Sequence, residues 1–416
     1  MISTKCLRSA LLAAAVTLLS GCGSHGATQQ QTISGSTLTV YVSVPLNGAS
    51  AISGRAVVDG ADLALDGIHA RIGRYRIVLR ELDDATPQRG AWDPGQTTLN
   101  VRQAVLDKTT IGYIGEFNSG ASAVSIPLLN RAGIPQISPS ATAVGLTDGG
   151  PAASPGEPQK YYPTGVRTFA RVVPNDSVQA AVQAKIQKAA GCRRSYVLDD
   201  GEVDGRDAAE SFEVAAKSAG LDVVGTQEFE ARATDYTSLA RSLVPTGADC
   251  VLVSAITDSH AVLVVKQVAA ALPAAMIFGS AGLAESTFTD PNLGGIPIAL
   301  DPRVTITVAT LDPSAYPPAG RRFFELYAHR YGSAQPYAIY GYAAMSLMLD
   351  AVARATDHGS EPAALSKVRA AIFATHDRPS VLGQYSVDSQ GDTSIDRYGV
   401  YRLRDGRLSY WKAMQG

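Results

Sequence analysis

The sequence predicts an α/β chain built as two doubly wound lobes, joined by multiple crossovers of the chain. Three observations predict it. Short apolar runs alternate with stretches of helical periodicity, the pattern of parallel strands linked by helices. The alternation runs from Leu38 and begins again at Ser177. The length of 416 residues, 45% of them hydrophobic, is more than one ordinary core organises. Two such βα series give two Rossmann-like halves.

The first half opens with a strand over Leu38–Val44. A helix follows over Gly54–Ala70, with Val57, Val58, Ala61, Leu65 and Ile68 on one stripe. Arg76–Glu81 reads as a strand, Thr97–Lys108 as a helix and Ile111–Ile114 as a strand. Ala121–Ala132 reads as a helix and Ile134–Ile137 as a strand. The second half repeats this. Helices are expected over Ser177–Ala190, Asp207–Ala219, Thr237–Leu243 and His260–Ala271. Strands are expected over Tyr196–Leu198, Leu221–Val224, Val251–Ser254 and Ala275–Phe278. The last third adds a strand, Val304–Val308, helices over Pro318–Tyr331, Tyr337–Ala355 and Ala363–Thr375, and strand runs within Gln384–Trp411. These complete the two earlier sheets rather than build a third, so the chain passes between lobes more than once. The cleft between hinged lobes is a natural ligand site. The expected division is 38–173 plus about 311–383 for the N-terminal lobe, and 174–310 plus about 384–416 for the C-terminal lobe.

A net charge of −2 gives no electrostatic reason for a nucleic-acid partner. Thirty-nine Gly and 22 Pro without a period exclude a collagen-like chain. Lys5 and Arg8 precede the apolar run Leu11–Leu19, and Leu19-Ser20-Gly21-Cys22 follows. This resembles a bacterial lipobox, with 1–21 as signal peptide, Cys22 as the lipid attachment site and 22–37 as a flexible tether. The alternative is an ordinary signal peptide with an incidental Cys. The expected location is the extracytoplasmic face of the cell membrane, held by lipid. Cys192 and Cys250 each stand just before an apolar run, so adjacent parallel strands would bring them into disulfide reach. Two separate buried thiols are the alternative.

Reactive constellations are missing from the sequence. No G-x-G-x-x-G, Walker loop or G-x-S-x-G elbow occurs, and the six His are scattered without metal-ligand spacing. Neither a metal nor a cofactor is expected, and no enzyme activity. The pairs Asp83-Asp84 and Asp199-Asp200 read as strand ends that cap the next turn. Two loops stand out instead, because ligands of open parallel sheets sit at the carboxyl ends of strands. Gly115–Ser122 offers small residues and a helix N-terminus, and Ile137–Thr142 offers hydroxyls. Together they can hold a carboxylate with hydroxyl and amide donors.

From about Leu38 onward the chain resembles the type I periplasmic binding proteins of the branched-chain amino-acid (Leu/Ile/Val) class, receptors of ABC importers. The resemblance rests on Val44–Gly48, Asp59–Asp66, Gly115–Ser122, Ile134–Thr142, Phe169–Ser177 and Tyr196–Asp200, in that order. The segments Trp92–Gly95 and Gly156–Pro163 resemble an actinobacterial lipoprotein branch. The resemblance implies that Ser119 and Thr142 donate hydroxyls to a ligand carboxylate, beside Gly120 and the backbone of Ser140 and Ala141. Phe117 and Ala51–Ser53 would border the side-chain pocket. In the second lobe Asp204 stands where the family usually has an aromatic residue. Ala281 stands near the family's ammonium-binding carboxylate, and Thr257 and Asp258 lie in the third loop. Asp204 or Asp258 is the expected substitute for the missing acid.

The resemblance therefore implies a lipid-anchored receptor that captures a small polar ligand, an amino acid or related carboxylate or amide. It would deliver the ligand to a membrane permease, and a monomer is expected. A sensor on the same fold with another membrane partner is the alternative.

Overall fold

The computed structural model describes residues 31–416. The expected signal peptide and Cys22 lie outside the described residues.

The first lobe is laid down as β1 (Thr37–Val44), α1 (Ala51–Asp66), β2 (Arg71–Ile72), β3 (Tyr75–Asp83), β4 (Ala85–Thr86), β5 (Ala91–Trp92), α2 (Pro94–Leu106), β6 (Thr110–Ile114), α3 (Ser119–Ala132), β7 (Gln136–Ser138) and β8 (Phe169–Arg171). The second continues with α4 (Asp176–Ala189), β9 (Arg194–Asp199), α5 (Val203–Ala219), β10 (Asp222–Glu228), α6 (Thr237–Ser242), β11 (Cys250–Ser254), α7 (Ala261–Ala271), β12 (Met276–Gly279), α8 (Ser286–Thr289) and β13 (Val304–Val308). Then come α9 (Pro318–Tyr331), α10 (Ala338–Ala355), α11 (Leu365–Phe373), β14 (Arg378–Ser380), β15 (Gly383–Tyr385), β16 (Arg397–Arg404) and β17 (Arg407–Gln415).

The first sheet has the order β2-β3-β1-β6-β7-β8 and is parallel except at its β2 edge. The second has the order β10-β9-β11-β12-β13-β16-β17, parallel as far as β13 and antiparallel beyond. Every residue of β6, β11 and β13 is buried, and none of them is charged, as strands covered on both faces require. After β13 the chain returns to the first lobe, where α10 packs on α1, α9, α11 and β6. It then crosses once more to supply β16 and β17. The expected α/β architecture of two doubly wound lobes is thus observed.

Helix α10 reaches α1 at backbone contact. A Cβ at Gly60 would stand 2.1 Å from the Ala338 carbonyl oxygen, and one at Gly341 2.2 Å from that of Val57. Helix α2 starts where Asp93 accepts from the Gly95 and Gln96 amides with Pro94 in the first turn. Helix α1 stops at Asp66, short of the expected Ala70, because His69 and Ala70 adopt positive φ. Strand β7 starts at Gln136 rather than Ile134, after a proline that has no N–H to give.

Part of the expected tether is fastened down. Ile33 is buried and its N–H donates to the Ala363 carbonyl at 2.8 Å, and β1 already includes Thr37. Cys192 and Cys250 form a disulfide with Cα atoms 5.8 Å apart, at the entries of neighbouring strands β9 and β11. Among the described residues, one group has metal-ligand proximity, Cys192, Asp249 and Cys250, and its two sulfurs are bonded to each other. No helix among these residues is long and apolar enough to cross a membrane.

Candidate functional site

In both sheets the parallel strands run second-first-third-fourth-fifth in chain order. The switch point, where ligands bind in such sheets, lies between β1 and β6 in one lobe and between β9 and β11 in the other. The loops after these four strands meet across the interlobe cleft.

Most contacts across the cleft share one polarity, although Thr287 Oγ1 and Arg232 of lobe 2 donate the other way, to the Ala49 and Arg89 carbonyls at 2.9 and 3.3 Å. Lobe 1 donates: the Ala49 amide to Asp258 Oδ1 at 2.9 Å, and Ser50 Oγ to Asp258 Oδ2 at 2.6 Å and Glu285 Oε2 at 3.3 Å. Ser119 Oγ and Thr142 Oγ1 donate to Asp204 Oδ1 at 3.1 and 2.9 Å. The Val144 and Gly145 amides donate to the two carboxylate oxygens of Asp207 at 2.8 and 3.1 Å. Lobe 2 accepts through these carboxylates. At the rim, Arg89 of the loop between β4 and β5 pairs with Glu202 at 3.5 Å and lies over the Trp92 ring.

Between these contacts remains a cavity of about 20 Å³, room for about one water molecule. Lobe 1 and the start of α10 line it with Ser50, Phe117, Asn118, Ser140, Thr142 and Tyr337. Lobe 2 lines it with Asp204, Ile256, Ala281, Gly282 and Glu285. The rings of Phe117 and Tyr337 stand edge to face, 5.1 Å between centroids. Burial and the neighbouring Asp258 charge push the Glu285 carboxyl up to about 8. Burial likewise raises Asp204 and Asp258 above the usual carboxylate range. Behind Thr142, Asp176 is raised well above it by burial and by Asp204 and Asp207. Its lining offers hydroxyls, carboxylates and an aromatic wall, groups able to hold a polar solute.

Of the residues expected from the sequence, Phe117, Ser140, Thr142, Asp204 and Ala281 line this cavity. Ser119 lies one contact away, joined to Asp204 and to the Thr142 and Ala143 amides. The amides of Ser140 and Ala141 are already committed to Ser138 Oγ, at 3.2 and 2.8 Å. Ala141 turns its carbonyl to the buried Arg171 instead. Gly120 faces away: a Cβ there would meet the Trp92 ring at 2.4 Å, and it borders a separate outer groove. Thr257 donates to the Gly282 carbonyl at 3.0 Å and also bonds Glu285, holding that side chain rather than facing the cavity.

Sequence reasoning missed Glu285, Asn118, Ser50, Ile256 and Tyr337. Ala281 carries no charge, but the acid it lacks stands four residues on, where the turn through Ala281–Leu283 brings Glu285 into the cleft. An acidic residue soon after a strand's carboxyl end was the available signal. Tyr337 begins a helix that the sequence placed in the N-terminal lobe but did not bring to the cleft.

The profile described as "Periplasmic binding protein" matches residues 37–407. A Leu/Ile/Val-binding protein homolog 7 of Brucella abortus is 25% identical over 372 residues, 88% of each chain. The leucine-binding protein LivK of Thermotoga maritima superposes with a TM-score of 0.76 at 19% identity, covering 91% of this chain and 99% of that one. A solute-binding protein of Rhodopseudomonas palustris in complex with p-hydroxybenzoic acid gives 0.73 at 16% identity, covering 91% and 97%. The two-lobe fold, the interlobe cavity and the profile over nearly the whole described chain agree: this chain belongs to the periplasmic binding protein family, in its type I fold, and is a solute-binding protein.

Proposed function

We propose that the chain is the capture component of an ABC importer, anchored outside the cell through lipid on Cys22 after removal of residues 1–21. It takes up a small polar ligand between lobes divided at the boundaries given above, closes on it, and presents the closed form to a membrane permease. The observation that carries this reading is the cavity at both switch points, walled by hydroxyls and carboxylates from the two lobes. The relatives support it, since a Leu/Ile/Val-binding protein homolog aligns over most of the chain. Closure selects a ligand only if the ligand binds the closed form better than the open one. The site is proposed to alter no covalent bond.

The test is mass spectrometry of small molecules released from the purified, denatured protein, followed by calorimetric titration and scattering with each candidate. A retained solute that contracts the scattering profile supports capture. A protein that retains nothing from a broad metabolite mixture ends the reading.

A further inference from the structure

We infer that the ligand is a small cationic amine with no free carboxylate; this rests on the capture reading and names the ligand class of that same cleft. The hydroxyls of Ser119 and Thr142 both converge on Asp204 Oδ1. The place where a ligand carboxylate would be held is therefore taken by a carboxylate of the protein. A ligand carboxylate brought there would face a like charge in a desolvated cleft, which disfavours it strongly.

The rest of the wall has the same sign. Glu285 lines the cavity, and Ser50 Oγ lies within hydrogen-bond distance of both Glu285 and Asp258, so lobe 2 brings these two acids to the cleft besides Asp204 of α5. Among the described residues, no Lys or Arg lines the cavity. The buried Arg171 beneath it is engaged by Asp392 and by the Ala141 and Ala143 carbonyls. A zwitterion brings a further carboxylate to this acidic wall, whereas a cation favours the ionised form of each acid it meets and adds no acid of its own.

An independent feature points the same way. Asn118 lines the cavity and is only 7% exposed, yet its Oδ1 has no partner among the described residues. An acceptor so placed suits a ligand that brings N–H donors. The edge-to-face pair of Phe117 and Tyr337 adds an aromatic wall that suits a cation. The closed cavity has room for about one water molecule, so the lobes part to admit any ligand. The amine would then lie between Asp204 and Glu285, with its apolar part against Phe117 and Ile256.

The experiment titrates the purified protein with 1,4-diaminobutane, 3-methylbutylamine, L-leucine and 4-methylpentanoate, and identifies any solute released on denaturation. The expected result is an amine bound at least tenfold more tightly than L-leucine or the acid, or a released solute that is cationic and lacks a carboxylate. Asp204→Asn should weaken amine binding at least tenfold and bring L-leucine closer to it. If that variant does not fold, Glu285→Gln should show the same loss. L-Leucine or the acid binding as tightly as any amine, or a released solute with a free carboxylate, overturns the inference and leaves capture standing. Equal amine affinity in folded Asp204→Asn and Glu285→Gln also overturns it. A protein that retains no solute overturns both.

Discussion

Asp207 is the most direct handle on closure. It lies on α5 of lobe 2, 6% exposed, and its two oxygens take the Val144 and Gly145 amides of lobe 1. Asp207→Ala removes both acceptors while adding nothing larger. In the closed form each amide is then buried without a partner, at about 1–3 kcal/mol apiece. In the open form water satisfies both amides, so the penalty of about 2–6 kcal/mol falls on closure alone. That shifts the open–closed ratio by roughly 30-fold to 10⁴-fold. Asp207→Asn keeps one acceptor oxygen and should fall between. Small-angle scattering of the unliganded variants reads the lobe separation, and hydrogen exchange reads the two amides directly. The expected result is a larger radius of gyration and fast exchange at 144 and 145 in Asp207→Ala, graded in Asp207→Asn. Superimposable scattering with unchanged exchange would refute the latch.

Further outcomes are open to measurement. Burial raises the Glu285 carboxyl to about 8 and Asp200, Asp207 and Glu116 to about 7. These groups hold protons in the folded chain that the unfolded chain has already lost, so stability should fall as pH rises from about 4.5 towards 8. A melting temperature that rises over this range contradicts the assignment, and Glu285→Gln should flatten the upper part of the curve. Reduction of the Cys192–Cys250 disulfide, which spans 58 residues, should lower unfolding free energy by about 4 kcal/mol on the loop-entropy account; denaturant curves with and without reductant measure it. Arg171→Ala leaves Asp392 and two buried carbonyls without their cation. It should cost about 3–5 kcal/mol in chemical denaturation, and an unchanged midpoint would show the network to be dispensable.

How much the sequence disclosed follows from how local each cause is. Val251–Ser254 reads as a strand because β11 is buried on both faces and carries the apolar run Val251-Leu252-Val253. Strand β8 did not announce itself, since Phe169–Arg171 is three residues long and ends in an arginine that folding buries completely. Its partner Asp392 is 221 residues away and no local pattern connects them. The hairpin of β4 and β5 is likewise too short to leave a period. In the cleft, hydroxyl-rich loops were visible because they end strands. The acceptor of those hydroxyls was not, because Asp204 meets Ser119 only when two lobes dock, 85 residues apart in the chain. Glu285 escaped notice behind a turn that spacing alone does not reveal.

The pairing of lobe 1 hydroxyls and amides with lobe 2 carboxylates bears on how separate molecules meet. Facing surfaces of lobe 2 from two copies would set Asp204, Asp207, Asp258 and Glu285 against their own kind. Like charges opposed at such range repel, and two copies of lobe 1 would bring together amides and hydroxyls short of acceptors. Open molecules are thereby steered from sticking like to like, because the match for each lobe is the other lobe.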